Sequence, residues 1–86
     1  MDIEKQITEK LFYDDTPLSV KKNFINKLKK KAKLIENFDE LDVKKLKVYR
    51  LRIYQYKNFL YKIEIFRNVK NQKEKIDIYK IEIKKE

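Results

Sequence analysis

Cysteine, histidine, glycine and tryptophan are all absent from this 86-residue chain, and Pro17 is its only proline. Without cysteine there is neither a disulfide framework nor a thiolate metal site. Without histidine there is no imidazole to act as a general base, and only carboxylates remain as metal ligands. Without glycine the phosphate-cradling loops of P-loop and Rossmann proteins are excluded, and turns must rely on asparagine and aspartate. No apolar run approaches the roughly 20 residues that cross a bilayer. The acidic start, Asp2 and Glu4, is wrong for a signal peptide, so a cytoplasmic protein with no membrane partner is expected.

What the chain does have is charge and aromatic rings: 43% of its residues are charged, 13% aromatic and 42% hydrophobic. That composition can fold as a single basic domain over residues 1–86, because its isoleucines, tyrosines and phenylalanines recur periodically. The net charge of +9 is unevenly spread. Residues 18–62 hold fourteen Lys/Arg against four Asp/Glu, whereas residues 1–17 hold two against five. A positive field in the middle of the chain draws in a polyanion; the competing reading is a lysine-rich solvated surface.

Ile3, Ile7 and Leu11 recur every four residues, which predicts a short amphipathic helix over Asp2–Leu11. Asp14-Asp15-Thr16-Pro17 reads as a break and a new helix start, with Thr16 or Asp15 as N-cap. The second helix is expected from Pro17 to about Lys33, its apolar face formed by Val20, Phe24, Leu28 and Ala32. Lysines crowd its remaining surface. Asn37–Lys45 reads as an acidic connection holding at most a short helical turn. From Leu46 the period changes to two. Val48, Arg50, Arg52, Tyr54 and Tyr56 fall on one side of a strand, and Tyr49, Leu51, Ile53 and Gln55 on the other. Lys57-Asn58 makes a tight turn into a second strand carrying Phe59, Tyr61, Ile63 and Ile65. Arg67–Lys75 reads as a polar loop, and Ile76–Lys84 as a third strand whose parity slips after Ile78. Either a bulge or burial on both faces would explain that slip. The expected fold is α+β: two N-terminal helices packed on a three-stranded antiparallel meander, with room for an extra N-terminal strand at Leu11–Tyr13.

On this reading Leu51, Ile53, Ile63 and Ile65 make the core, and Arg50, Arg52, Tyr54, Tyr56 and Lys57 face a partner. Arg50 and Arg52 would stand about 6–7 Å apart, a spacing that suits adjacent phosphates, while tyrosines offer stacking surfaces for bases. Lys27, Lys30, Lys31, Lys45 and Lys47 extend the basic surface. Asp39, Glu40 and Asp42 read as charge balance rather than a metal cluster, and no cofactor is expected.

Lys44-Lys45-Leu46-Lys47 followed by YRLRIYQYKNFLYKIEI, Tyr49 to Ile65, resembles the core of the RelE/ParE superfamily of toxins from toxin–antitoxin systems. The resemblance spans roughly residues 18–84 and implies helices on a curved antiparallel sheet. It also implies a metal-independent, ribosome-dependent mRNA endoribonuclease, with RNA or the ribosome as target and an acidic antitoxin as partner. Carried onto this chain, Arg50, Arg52, Lys57 and Lys84 would bind and activate the scissile phosphate, and Lys85 would extend the basic pair after the last strand. Tyr54 stands where the family has glycine. The competing reading is a non-catalytic basic protein, such as a small viral or mobile-element factor, that binds nucleic acid or an acidic protein. A third is a basic structural subunit of a larger complex.

Overall fold

The turn at Lys57-Asn58 sets the frame of the whole sheet. It pairs Tyr56 with Phe59, so Tyr54 meets Tyr61, Arg52 meets Ile63 and Arg50 meets Ile65. The computed structural model describes the backbone of residues 4–85 and the side chains of residues 6–82. Its elements are β1 (Glu4–Lys10), α1 (Leu18–Lys31), β2 (Lys33–Asp42), β3 (Lys47–Tyr56), β4 (Phe59–Asn68) and β5 (Lys73–Lys85). The strands form one antiparallel sheet in the order β1-β5-β4-β3-β2. β2 to β5 are a meander, and α1 carries the chain from β1 at one edge to β2 at the other.

This is a mostly β protein with one helix, and it corrects the expectation of two helices on a three-stranded meander. Asp2–Leu11 does not supply the first helix: Glu4–Lys10 is β1, paired along its length with β5, while residues 1–3 lie outside the described residues. A spacing of four satisfies a strand's period of two as well as a helix's 3.6, so Ile3, Ile7 and Leu11 could not separate them. The extra N-terminal strand for which Leu11–Tyr13 left room lies just earlier, as β1, and residues 11–13 are not strand. Most of Asn37–Lys45 belongs to β2 rather than to a connection. The expected loop at Arg67–Lys75 is largely strand, leaving only a turn between Asn68 and Lys73.

The second expected helix is α1. Its cap position is Pro17, with no side-chain cap from Thr16 or Asp15. Its buried side holds Lys21, Ile25 and Leu28, with Phe24 and Ala32 half-buried, whereas Val20 is exposed. These residues close over Tyr54, Ile63, Ile76 and Ile78 to form the core. Phe12, Phe24 and Tyr61 extend it through edge and tilted ring contacts at 5.5 and 5.9 Å. Lys21 lies in this core with only 2% of its surface exposed, and its Nζ donates to the Ile76 carbonyl at 2.8 Å. β1 ends just short of that carbonyl: its last bond along β5 runs from the Leu11 amide, just past β1, to the Ile78 carbonyl. The Lys21 ammonium therefore satisfies a backbone acceptor that the departing strand leaves exposed.

The register inverts the expected use of β3. Ile63 and Ile65 share a face with Arg50, Arg52 and Tyr54, because they pair with them directly. α1 packs on that face. Tyr49, Leu51 and Ile53 point to the opposite, open face, beside Leu60, Glu64 and Phe66. β5 keeps one register through Ile78 and Tyr79, so its parity slip reflects a strand with apolar residues on both faces, not a bulge.

Glycine-free turns close the meander. Lys57, Leu46 and Gln72 adopt left-handed φ values of 55, 51 and 59°. Asp42 and Asn68 accept backbone N–H bonds across two of these turns. The Val69 amide donates to the Leu46 carbonyl at 2.8 Å and ties those two turns side by side.

Candidate nucleic-acid interface

The largest concentration of unopposed charge lies on the solvent side of α1. No acidic residue occurs between Thr16 and Ile35, and this span contains seven lysines. With Lys21, Ile25 and Leu28 turned inward, the 3.6-residue period puts Lys22, Lys27, Lys29, Lys30 and Lys31 outside, all exposed, beside Asn23 and Asn26. Lys22 pairs with Glu74 at 3.6 Å. Lys27, Lys29, Lys30, Lys31 and Lys33 have no ion-pair partner among the described residues. Three of them occupy the last helical turn, where the negative end of the helix dipole offsets part of their mutual repulsion.

The strand residues expected to form the site are dispersed. Tyr54 is buried under α1 with 5% exposure, so it offers no stacking surface. Its bulk fills the core at the position where glycine was expected from the family pattern. Tyr56 is half-buried at the end of β3, with the Lys57 ammonium 5.3 Å from its ring centre. Lys57 is in the following turn, seven residues from Arg50, or about 20 Å at the rise of a strand. Arg52 is engaged by Asp39 through two bonds of 2.7 and 3.2 Å, and it also donates to the Leu51 carbonyl at 2.8 Å. The Arg52–Asp39 hydrogen bond is the main reason the Asp39 carboxyl is held below its usual range and the Arg52 guanidinium is raised further. Arg50 is exposed beside this pair. Lys45 is exposed in the β2–β3 turn, and Lys47 is exposed on the open face. The side chains of Lys84 and Lys85, at the end of β5, lie outside the described residues.

The acids are likewise divided. Asp39 lies on the helix side of the sheet with Arg52, whereas Glu40 and Asp42 lie on the open face. No group of three or more acids that could hold a metal ion occurs among the described residues.

Sequence reasoning missed the polar and aromatic cluster on the open face. The Tyr49 hydroxyl donates to Glu64 at 2.8 Å, and burial together with this bond pushes its pKa up to about 12. Phe66 and Phe38 flank the Tyr49 ring at 5.2 and 6.4 Å. A depression of about 600 Å³ opens over Tyr49 and Phe66, edged by Lys47, Lys73 and Lys75. Glu64 stands directly opposite Asp77, which is itself buried, and Lys62, Lys10 and Lys75 compensate the two carboxylates. The signal was the turn at Lys57-Asn58, which dictates that Glu64 lies across from Leu51 and close to Tyr49.

The shifted pKa values all move away from neutrality: Lys10, Tyr49 and Arg52 upward, Asp14 and Asp39 downward. None of these five groups is poised to exchange a proton near pH 7. The arrangement is suited to holding charge.

No family model, curated protein or solved structure matches the chain.

Proposed function

We propose that this chain is a basic, non-catalytic nucleic-acid-binding protein of the cytoplasm that grips the phosphate backbone with the lysine ridge of α1. The observation that carries this reading is the row Lys27, Lys29, Lys30 and Lys31, exposed on a helix without a single acid and unpaired among the described residues. Lysines without neighbouring aromatic or guanidinium planes act as point charges, so they fix a phosphate backbone without reading its bases. The absence of any helix long and apolar enough to cross a membrane, among the described residues, is compatible with this setting.

Support for RelE-like cleavage of mRNA is narrower. It consists of the resemblance over Lys44–Ile65, with Arg52 held by Asp39 and with Arg50 remote from Lys57. An acidic antitoxin belongs to that reading and would share the α1 surface.

The test is an anisotropy titration of labelled single-stranded RNA and duplex DNA over a salt series. If the ridge neutralises about five phosphates, the logarithm of the RNA affinity falls against the logarithm of salt with a slope of about −3.5. Replacing Lys27, Lys30 and Lys31 together by glutamine should reduce that slope by about 2 and weaken both nucleic acids alike. Absence of low-salt binding, or an unchanged slope, sinks the proposal. Shortened RNA products that disappear in Arg50→Ala and Lys57→Ala would replace it with the nuclease reading.

A further inference from the structure

β2 is an edge strand of ten residues, and along its outer side every second residue turns its N–H and C=O away from β3 with no strand among the described residues to receive them. It is also the only element of net negative charge, with Lys33 against Glu36, Asp39, Glu40 and Asp42. Asp39 is taken by Arg52, and Asp42 by the Lys45 amide. Glu36 and Glu40 have no ion-pair partner among the described residues. Both lie on the open face, on either side of Phe38, because they pair with Ile53 and Tyr49 while Phe38 pairs with Leu51. Phe38 is 50% exposed, and Leu41 further along the same edge is 61% exposed.

We propose that β2 is a strand-addition site for an extended basic segment of a partner protein. On the face it shares with Glu36, Phe38 and Glu40, the segment would carry a cation, an apolar residue and a second cation at every second position, its cations on Glu36 and Glu40 and the apolar residue on Phe38. Backbone bonds along β2 would supply affinity, and the alternating side chains would supply selectivity. Charge complementarity selects this occupant over a second copy. An antiparallel β2–β2 pairing centred on Phe38 would set Glu36 opposite Glu40 of the other chain twice, which is repulsive. The irregularity between Leu34 and Glu36 further limits such zipping. This surface is separate from the α1 ridge and does not depend on it.

The probe is a short capped lysine–valine peptide, Thr-Lys-Thr-Val-Thr-Lys-Thr, in which lysine, valine and lysine at every second position share one face, as Glu36, Phe38 and Glu40 do. It is titrated into the full chain and followed by amide chemical shifts. Saturable shifts confined to β2 and neighbouring β3 are expected, with a glutamate–valine peptide binding about tenfold or more weakly. In the double variant Glu36→Lys, Glu40→Lys the preference should reverse, a readout that requires the variant to be folded and is checked on the same spectra. Methylating the peptide's alternate amide nitrogens should abolish binding if strand addition is involved. Equal binding of the two peptides, shifts centred on α1, or undiminished binding of both methylated registers overturns the proposal. So does a β2–β2 dimer in sedimentation at the same concentration. Failure of the α1 titration would leave these results untouched.

Discussion

Two side chains act here in ways their residue types do not advertise. Lys21 is a core residue: it shares the buried helix side with Ile25 and Leu28, at spacings of four and seven, and its ammonium serves the Ile76 carbonyl. Lys21→Met keeps the apolar stem but leaves that carbonyl unpaired, which should cost about 1–3 kcal/mol in urea unfolding. Nucleic-acid affinity should be unchanged, because Lys21 does not reach the solvent ridge. Tyr49 carries a pH dependence. Its folded pKa of about 12 exceeds the ordinary value of 10.0, so the folded state holds the phenolic proton more tightly than the unfolded chain. The resulting stabilisation is complete below about pH 10 and is lost as the pH rises from there toward 12. In Tyr49→Phe that alkaline decline should flatten, measured as unfolding free energy against pH. An equally steep decline in the variant would assign it to other groups.

Among the elements, α1 bears both the only helical cover of the sheet among the described residues and the proposed ridge, and these two roles pull in opposite directions. Lys27 repels Lys30 and Lys31 across one turn, at about 0.2–0.5 kcal/mol per pair. The triple glutamine variant should therefore be more stable than the parent by about 0.5–1 kcal/mol in denaturant unfolding while binding nucleic acid more weakly. A ridge retained for helix stability alone would give the reverse sign. α1 was legible in the sequence because burial imposes a 3.6-residue period on it. β3, β4 and their turn were legible because alternation and Lys57-Asn58 are local signals. β2 was not: it is exposed at every position, so no apolar alternation marks it, and its acids read as loop. The face of β3 that enters the core was also misread, although the turn contains the answer. Once Tyr56 pairs with Phe59, Ile63 and Ile65 must join the arginine side, and the aliphatic Leu51 and Ile53 are left outside. The pattern within one strand cannot reveal this, because both of its faces carry large apolar groups. The candidate site suffered accordingly. The helix lysines stay together on one surface, whereas the strand arginines are split between an ion pair and a solvent position.

At the scale of the whole molecule, shape and charge are both polarised. The chain measures 48 × 27 × 23 Å with a radius of gyration of 14.7 Å, against about 12 Å for a compact chain of this length. The excess arises because α1 covers only part of one sheet face. β2 and the linked turns around Leu46 and Val69 extend beyond that cover, taking most of the exposed large apolar residues with them. Burial is what makes an opening expensive, so local stability should follow it. Amides of β4 and β5 around Ile63 and Ile78 should exchange hydrogen only through global unfolding, with rates that respond steeply to denaturant. Those of β2 should exchange through small openings with almost no denaturant dependence. The lysine–valine peptide should then slow β2 exchange selectively, and RNA should not. If β2 in the free protein were already as protected as β4, its edge would be covered by another chain, and the acidic strand would not be vacant for a basic partner.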